Sequence, residues 1–364
     1  MSNNKKYLLS GGGTGGHIFP AIAIADELKK RDPACEILFV GASDRMEMEK
    51  VPAAGYPIKG LWISGLQRSL KPKNLLFPIK LIASILKSRK IIKQFKPNAV
   101  IGTGGYASAA VLYAATQKKI PTLIQEQNNY AGLTNKWLSK KVNKICVSFD
   151  NMERFFPKEK LVKTGNPVRE QFLSIGLANE NEAAKEEFGV APNEKSVLVV
   201  GGSLGARSIN HAIAKDYKKL ENAGIKLVWQ TGKLFVEEAE SIKSEFIKPM
   251  TFITDMRQAY KMADVVISRA GAIAISEICI MGKPSVLVPL STAAEDHQTK
   301  NAMALVNNDA AILVKDQLVK EELIDAVISL INNKEQKLKM ATNVTAMGLP
   351  NATKQIVNEI EEML

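Results

Sequence analysis

Cysteine and histidine are scarce in this 364-residue chain, with three of each. Cys35, Cys146 and Cys279 stand far apart and share no motif, so no disulfide framework or thiolate metal site is indicated. Buried, inert thiols in a reducing compartment are expected. His17, His211 and His297 have no metal-ligand spacing, and no Asp-x-Asp occurs anywhere in the sequence. A catalytic metal, and the metal-bound diphosphate chemistry that Asp-x-Asp supports, is therefore not signalled. Uninterrupted runs of about 18 apolar residues are absent too, so no membrane span is expected. In "KKYLLSGGG" only three apolar residues, Tyr7 to Leu9, follow the lysines, too few for a secretory signal.

Acid is missing from one long stretch. Between Lys50 and Gln125 there are 13 basic residues and no Asp or Glu. Residues 1–165 hold 27 Lys and Arg against 11 Asp and Glu, a net charge of +16. Residues 166–364 hold 22 against 26, a net charge of −4. The basic half needs an anionic partner or surface that the acidic half does not share. No nucleic-acid motif or aromatic stacking surface accompanies the charge, which disfavours DNA or RNA.

What is present is alternation of short β-rich runs with helical patterns, the signature of parallel sheets covered by helices. Strands are expected at 6–10, 36–41, 99–102, 121–125, 144–149 and 160–164, then at 196–201, 226–231, 250–254, 264–268, 284–289 and 311–314. Each set suffices for its own doubly wound sheet, and the length suits two domains. The boundary is expected near "TGNPVRE", where Gly165 and Pro167 interrupt regular structure. That gives domains at 1–165 and 166–340, with 341–364 a helical segment able to pack back on the first. Two such sheets would place ligands outside the carboxyl ends of their strands, in a cleft between the domains.

Three glycine-rich turns follow predicted strands. "SGGGTGGHIFP" (10–20) satisfies G-x-G-x-x-G and opens a helix whose free N–H groups favour an anion. A nicotinamide cofactor would require an acid at the end of the second strand to hold a ribose. That strand, "EILFVGAS", ends in Gly41-Ala42-Ser43, with Asp44 late. "IGTGGYAS" (101–108) and "VVGGSLGARSIN" (199–210) repeat the strand–glycine–helix junction. His17, inside the first loop, has the near-neutral titration that suits a general base, or it merely caps the turn. Glu277 lies among apolar neighbours on a short helix, where a carboxylate must hold ligand hydroxyls or pair with Arg269.

The motifs "GGTGGHIFPAIAIADEL", "GTGGYAS", "QEQNNYAGLTNKWL", "GNPVR", "GGSLGA", "ISRAGAIAISEICIMGKP" and "HQTKNA" occur in that order. Together they closely resemble those of the GT-B glycosyltransferases of family 28, from Lys6 to about Val314. The resemblance implies two Rossmann-like α/β domains facing a central cleft. It implies inverting transfer of GlcNAc from UDP-GlcNAc to the 4-hydroxyl of MurNAc in undecaprenyl-diphosphate-MurNAc-pentapeptide, the lipid I to lipid II step of peptidoglycan biosynthesis. It further implies neither metal nor cofactor, a role in cell shape and division, and a peripheral place on the cytoplasmic face of the inner membrane. Proteins of the cell-wall and division machinery would be further partners.

Matching positions carry the family's site onto this chain. The donor side comprises Arg169, Ser203 and Asn210, Phe252 and Ile253 against uracil, Arg269, Glu277 on the ribose, and His297 and Gln298 on the sugar hydroxyls. The acceptor side comprises Thr14, Gly15, Gly16, Gly104, Tyr106 and Asn128. The base is His17 or Glu126, with His17 preferred. Two departures stand out. Many members have histidine where this chain has Gln125, and Ala109-Ala110 replace a Gly-Pro pair after Ser108. Residues 68–96 mix Leu75, Leu76, Phe77, Ile79, Ile82 and Leu86 with nine Lys and Arg and no acid. This reads as a basic amphipathic surface helix suited to anionic lipid, against the plainer reading of an apolar face packed on the sheet. Rival functions are another sugar transferase of the same fold, a UDP-GlcNAc 2-epimerase, a nicotinamide-dependent oxidoreductase, and an inactive nucleotide-sugar-binding scaffold.

Overall fold

A computed structural model describes residues 4–65, 76–172, 180–202 and 204–364. The chain divides into two compact units, one of residues 1–169 with 351–364, the other of residues 170–350. In the first unit β1 (Lys6–Gly11) leads to α1 (Gly15–Arg31), β2 (Glu36–Ala42), α2 (Glu47–Ala53) and β3 (Ile58–Leu61). Then follow α3 (Phe77–Phe95), β4 (Ala99–Gly104), α4 (Tyr106–Thr116), β5 (Thr122–Glu126), α5 (Leu133–Leu138), β6 (Lys144–Val147) and β7 (Leu161–Lys163). The seven strands lie in the order β3-β2-β1-β4-β5-β6-β7 and pair in parallel throughout.

In the second unit α6 (Glu180–Glu187) precedes β8 (Lys195–Val200), α7 (Arg207–Asn222), β9 (Ile225–Gln230), α8 (Val236–Glu240) and β10 (Ile247–Met250). It continues through α9 (Met256–Met262), β11 (Val265–Ser268), α10 (Ala272–Ile280), β12 (Ser285–Leu287), α11 (His297–Val306) and β13 (Ile312–Leu313). The helices α12 (Val319–Asn332) and α13 (Lys334–Ala346) complete it. Its six parallel strands run β10-β9-β8-β11-β12-β13. The sheet architecture is the expected one, with two local differences. β3 went unpredicted because Lys59 and Gly60 interrupt its apolar pattern, and β10 lies three residues earlier than expected.

The strands are apolar on both faces because helices cover both. Leu8, Val40, Val100 and Ile124 face one cluster with α3, α4 and α5, whereas Tyr7, Leu9, Phe39 and Ile101 face another with α1. The last helix, α14 (Ala352–Glu362), belongs to that second cluster. It buries Ile356, Val357 and Ile360 against α1, at about 2 kcal/mol for each side chain. Arg31 pairs with Glu361 at 2.7 Å, and Lys144 pairs with Glu359. This burial attaches the chain's last helix to the first unit. All three cysteines are buried, and desolvation pushes the thiols of Cys146 and Cys279 up to about 12, the behaviour of inert core residues.

Candidate active site

In both sheets the chain reverses its direction of winding between two adjacent strands, β1 and β4 in the first unit and β8 and β11 in the second. Loops leaving the carboxyl ends of such strands are where open α/β sheets bind ligands. All three glycine loops singled out from the sequence leave strands at these points.

In the first unit the loops after β1 and β4 pack backbone to backbone, with the Gly12 N–H donating to the Gly104 carbonyl at 3.3 Å. Gly104 has φ +112°, and a Cβ there would stand 2.8 Å from Nδ1 and Cε1 of the His17 ring. At Gly105, with φ +89°, a Cβ would lie 2.5 Å from the Gly12 carbonyl oxygen. These glycines are required by mutual approach of the loops and by the imidazole, before any ligand is considered. Gly13, Thr14 and Gly16 are exposed, and Thr14 ends the loop as the cap of α1 without a side-chain cap bond. No acid lies in the first turn of α1. Its first turn therefore offers a cationic dipole end, Gly15 and Gly16 N–H groups and the Thr14 hydroxyl to an anion.

An acid that sequence reasoning missed supports this loop. Glu47, at the start of α2, is fully buried and accepts from Gly13 N (3.0 Å) and Ala42 N (2.9 Å). The carboxylate near the end of the second strand thus holds the glycine loop itself. Glu47 also occupies the Gly13 amide, so the anion-binding donors begin at residue 14.

His17 is held from three sides. Its carbonyl accepts from Thr103 Oγ1 at 2.6 Å, Gly104 lies against the ring, and Nδ1 is 2.9 Å from Gln127 Oε1. Gln127 is buried, and its Nε2 donates to Thr103 O (2.8 Å), Gln125 O (2.9 Å) and Gln125 Oε1. Gln125 passes the chain on through Nε2 to Asn166 Oδ1 at 3.0 Å, and Asn166 Nδ2 returns to Gln127 O at 3.1 Å. Gln125, where many family members have histidine, is therefore one link of a buried amide network ending at the "GNPVR" turn. Four consecutive polar residues after an apolar strand, Gln125 to Asn128, were the available signal for it.

Glu126 is buried and heavily engaged. Its two oxygens accept from Asn128 N (3.1 Å), Gly132 N (3.0 Å), Asn135 Nδ2 (2.8 Å) and Asn128 Nδ2 (3.4 Å). A carboxylate so occupied shapes the 128–132 loop and leaves little lone-pair capacity for a substrate proton. Asn128 is half-buried on that loop. Tyr106 is 48% exposed at the first position of α4, and a Cβ on Gly65 would stand 2.3 Å from its ring. Ala109 and Ala110 continue α4 without interruption, and Ala110 is buried. Arg169, exposed, is the last residue of the first unit before the division.

In the second unit Ser203 lies outside the described residues. The loops after β8 and β9 repeat the glycine packing: Gly205 has φ +80°, and a Cβ there would stand 2.1 Å from Thr231 O. Asn210 is buried inside this junction, donating to Thr231 O (2.8 Å) and accepting from Trp229 Nε1 (3.0 Å). It braces the loop from behind. Phe252 is 55% exposed, whereas Ile253 is buried and its N–H donates to Gln230 Oε1 at 3.0 Å. Gln230, buried at the end of β9, was not foreseen, and it takes the amide that a uracil edge was expected to meet.

The expected alternative pairing of Glu277 with Arg269 is replaced. Arg269 Nη1 binds Asp316 (2.7 Å) and the carbonyls of Val288 (3.1 Å) and Pro289 (3.4 Å), and Nη2 donates to Ser208 Oγ at 2.8 Å. Burial opposes ionisation of Asp316, but donation from Ser208, Arg269 and Ser291 holds its carboxyl below the usual range. Glu277 is buried on α10 and receives the Tyr260 hydroxyl at 3.4 Å. Gln298 Oε1 accepts from Leu290 N at 2.9 Å. His297, half-buried, opens α11 directly after Glu295 and Asp296, both at φ +53°. Two consecutive non-glycine residues in the left-handed region mark a strained turn of the kind that clusters at ligand sites.

The expected surface helix is α3, with residues 68–75 of the predicted stretch outside the described residues. Its outward stripe is apolar: Leu76, at its cap, with Ile79, Ile82 and Leu86 is 45, 56, 60 and 57% exposed. Its inward face buries Ile91 and Ile92 in the core, with Leu81, Ile85 and Phe95 packed beside them. It also buries Ser84 and Ser88, which bond to Trp62 O (3.1 Å) and Ser84 O (2.7 Å). Trp62 is itself 54% exposed, with Lys80 Nζ 5.4 Å from its ring centre. Lys87, Arg89, Lys90 and Lys93 flank the stripe in solvent. Among the described residues no helix is long and apolar enough to cross a membrane.

Comparison with known proteins followed the same division. Residues 7–147 match the glycosyltransferase family 28 N-terminal domain, and residues 196–356 match the family 28 C-terminal domain. A Cytophaga hutchinsonii protein is 52% identical over 366 residues, covering 100% of this chain and 99% of its own length. It is named a UDP-N-acetylglucosamine–N-acetylmuramyl-(pentapeptide) pyrophosphoryl-undecaprenol N-acetylglucosamine transferase. The crystal structure of Acinetobacter baumannii MurG is 31% identical with a TM-score of 0.81, covering 98% of this chain and 99% of that one. A putative UDP-N-acetylglucosamine 2-epimerase from Listeria monocytogenes has a TM-score of 0.69 at 15% identity, over 99% of this chain and 96% of that one, a likeness of fold alone.

Proposed function

The chain belongs to glycosyltransferase family 28 and has its GT-B fold, and from that premise we propose that it transfers GlcNAc from UDP-GlcNAc to the 4-hydroxyl of MurNAc on undecaprenyl-diphosphate-MurNAc-pentapeptide. The names of its relatives support the substrates. One local observation supports the chemistry: His17 is fixed at the amino end of α1, with Nδ1 turned to Gln127.

In this reading the first unit takes the acceptor. Gly15 and Gly16 N–H groups, the Thr14 hydroxyl and Tyr106 hold the lipid diphosphate, with Gly104 keeping the loop close. Nε2 of His17 removes the proton from the attacking 4-hydroxyl. Attack from the face opposite the departing UDP inverts the anomeric centre. Glu126 and Asn128 shape the neighbouring loop. The second unit takes the donor: Phe252 lies on uracil, Glu277 holds the ribose hydroxyls, and His297 and Gln298 read the sugar. Ser203 and the amides of its loop, with Arg169, meet the diphosphate as negative charge develops there. Oriented dipoles and a guanidinium stabilise that charge directly. With no Asp-x-Asp in the sequence, we assign the reaction no catalytic metal. Arg269 and Asn210 act from behind, keeping the donor loops in shape.

We place the enzyme on an anionic membrane surface through α3, whose stripe of Ile79, Ile82 and Leu86 faces solvent beside a face that packs on the core. The helix packs on the sheet through Ile91 and Ile92, and its exposed stripe is left over for lipid contact. The deciding experiment is transfer of labelled GlcNAc from UDP-GlcNAc to a lipid I analogue with EDTA present. Wild-type protein forms the disaccharide product, and His17→Ala loses about 10²- to 10⁴-fold in single-turnover rate. A His17→Ala rate near wild type across pH would remove His17 as the base.

A further inference from the structure

We infer that Gln127 is a positioning residue that sets the tautomer of His17, placing the imidazole proton on Nδ1 and the basic lone pair on Nε2. The inference rests on the reading of His17 as the base and adds what orients it. The argument is one of forced donors and acceptors. Thr103 O and Gln125 O are backbone carbonyls and can only accept, so the Gln127 nitrogen at 2.8 and 2.9 Å from them must be the NH2 group. Its Oε1 is thereby the atom 2.9 Å from His17 Nδ1, and an amide oxygen can only accept. A neutral imidazole must then carry its proton on Nδ1. Free imidazole side chains favour the proton on the other nitrogen, so the network reverses the intrinsic preference and leaves Nε2 able to take a proton.

The ring has little freedom to evade this. Gly104 lies against its Nδ1–Cε1 edge, and the Thr103 hydroxyl fixes the His17 carbonyl at 2.6 Å. Gln127 is itself buried, and its Nε2 is held by Thr103 O and Gln125 O. Asn166 Nδ2 donates to its main-chain carbonyl at 3.1 Å, which fixes the backbone that carries the amide. Gln125 contributes two of the acceptors that orient Gln127. This gives the residue at 125 a function in this chain without contact with a substrate.

With three histidines in the chain, selective ¹⁵N labelling gives a spectrum simple enough to read. In the full-length protein, above the pH at which the imidazole titrates, His17 is expected to show a protonated Nδ1 and an unprotonated Nε2, assigned by loss of its signals in His17→Ala. Gln127→Met, of similar volume but without the acceptor, is expected to move the proton toward Nε2. It should lower kcat about tenfold while KM for each substrate stays within about twofold. Gln127→Glu, which restores an acceptor opposite Nδ1, is expected to recover the Nδ1–H tautomer. A proton on Nε2 in the wild-type protein overturns the inference. So does an unchanged kcat in Gln127→Met when His17→Ala has lost its rate, and the assignment of the base then survives. If His17→Ala keeps the full rate, the base assignment itself fails and Gln127's catalytic role falls with it. Gln127→Met is interpreted only where its circular dichroism and thermal unfolding match wild type, and the wild-type spectrum tests the tautomer regardless.

Discussion

The two units share a sheet order and a habit of packing glycine loops at the strand ends, yet they use the habit differently. In the first unit the glycines close on a titratable side chain, His17, and leave amides and a hydroxyl open at the head of α1. In the second they close on backbone, Gly205 against Thr231 O, with Asn210 and Trp229 filling the space behind. One junction encloses an imidazole and the other is a rigid shelf. The charges differ in the same sense: the basic half also carries an apolar, outward-facing helix, and the acidic half has no counterpart to it among the described residues. A shared topology therefore says where ligands bind in each unit. What differs is the side chain that the loops enclose.

The sharpest test of this contrast is a matched pair of glycine substitutions. At Gly205→Ala the new Cβ meets a backbone oxygen at 2.1 Å from a strained φ, and backbone cannot step aside. The second unit should lose roughly 3 kcal/mol or more of stability, read by urea unfolding. At Gly104→Ala the nearest obstacle is the His17 ring, a side chain that can move aside only by giving up its bond to Gln127. Stability should fall by about 1–2 kcal/mol, while kcat falls roughly 100-fold as His17, the proposed base, is displaced. Equal stability losses in the two variants would break the comparison.

A smaller effect is expected on the membrane side. Replacing Ile79, Ile82 and Leu86 together with serine should weaken binding to anionic vesicles about 10- to 100-fold, with thermal stability unchanged because these side chains are exposed. Wild-type binding should itself weaken as salt screens Lys87, Arg89, Lys90 and Lys93. Co-sedimentation at two ionic strengths checks both. Salt-independent binding, or none, would leave the exposed stripe without lipid.

The smallest effect is a pH slope confined to the second unit. Burial pulls Lys283 down to about 8, with its ammonium donating to Lys261 O (3.1 Å) and Ala263 O (2.9 Å). Between pH 8 and the ordinary lysine value near 10.5, the unfolded chain keeps a proton that the fold has released. Stability therefore rises with pH through that window, by on the order of 1 kcal/mol per unit at most, and the folded state bears the full penalty below it. The stability of wild type minus that of Lys283→Met, followed by Trp229 fluorescence in a Trp62→Phe/Trp137→Phe background, should climb from pH 8 to 10. A flat difference would remove the buried ammonium as a cause.

Much of this organisation was legible residue by residue. Long apolar strands followed by glycine turns announced two doubly wound sheets, and the weak strand β3 escaped because its pairing with β2, not its composition, makes it a strand. His17, Glu277 and Phe252 were picked out by their motifs, and His17 lies at the strand ends where such sheets bind ligands. Their partners did not show, because each is distant in sequence. Glu47 reaches Gly13 across 34 residues, Gln127 reaches His17 across 110, and Asp316 reaches Arg269 across 47. Arg269 and Asn210 looked like ligand contacts, and folding turned their polar atoms inward.

By itself the sequence determined what depends on local chemistry and order: parallel strands from apolar runs, turns from glycine, a basic first half, and the family its motifs belong to. Tertiary structure alone decided which polar groups remain open to a ligand. A donor or acceptor is available only if no other part of the chain has already satisfied it, and burial makes such satisfaction obligatory. That is why Gly13 and Ile253 lose their amides to Glu47 and Gln230, and why Thr14 keeps its hydroxyl. It is also why the opening glycine loop shows its purpose only in the fold, where Gly12 packs against the neighbouring loop while Gly13 and Gly16 face outward.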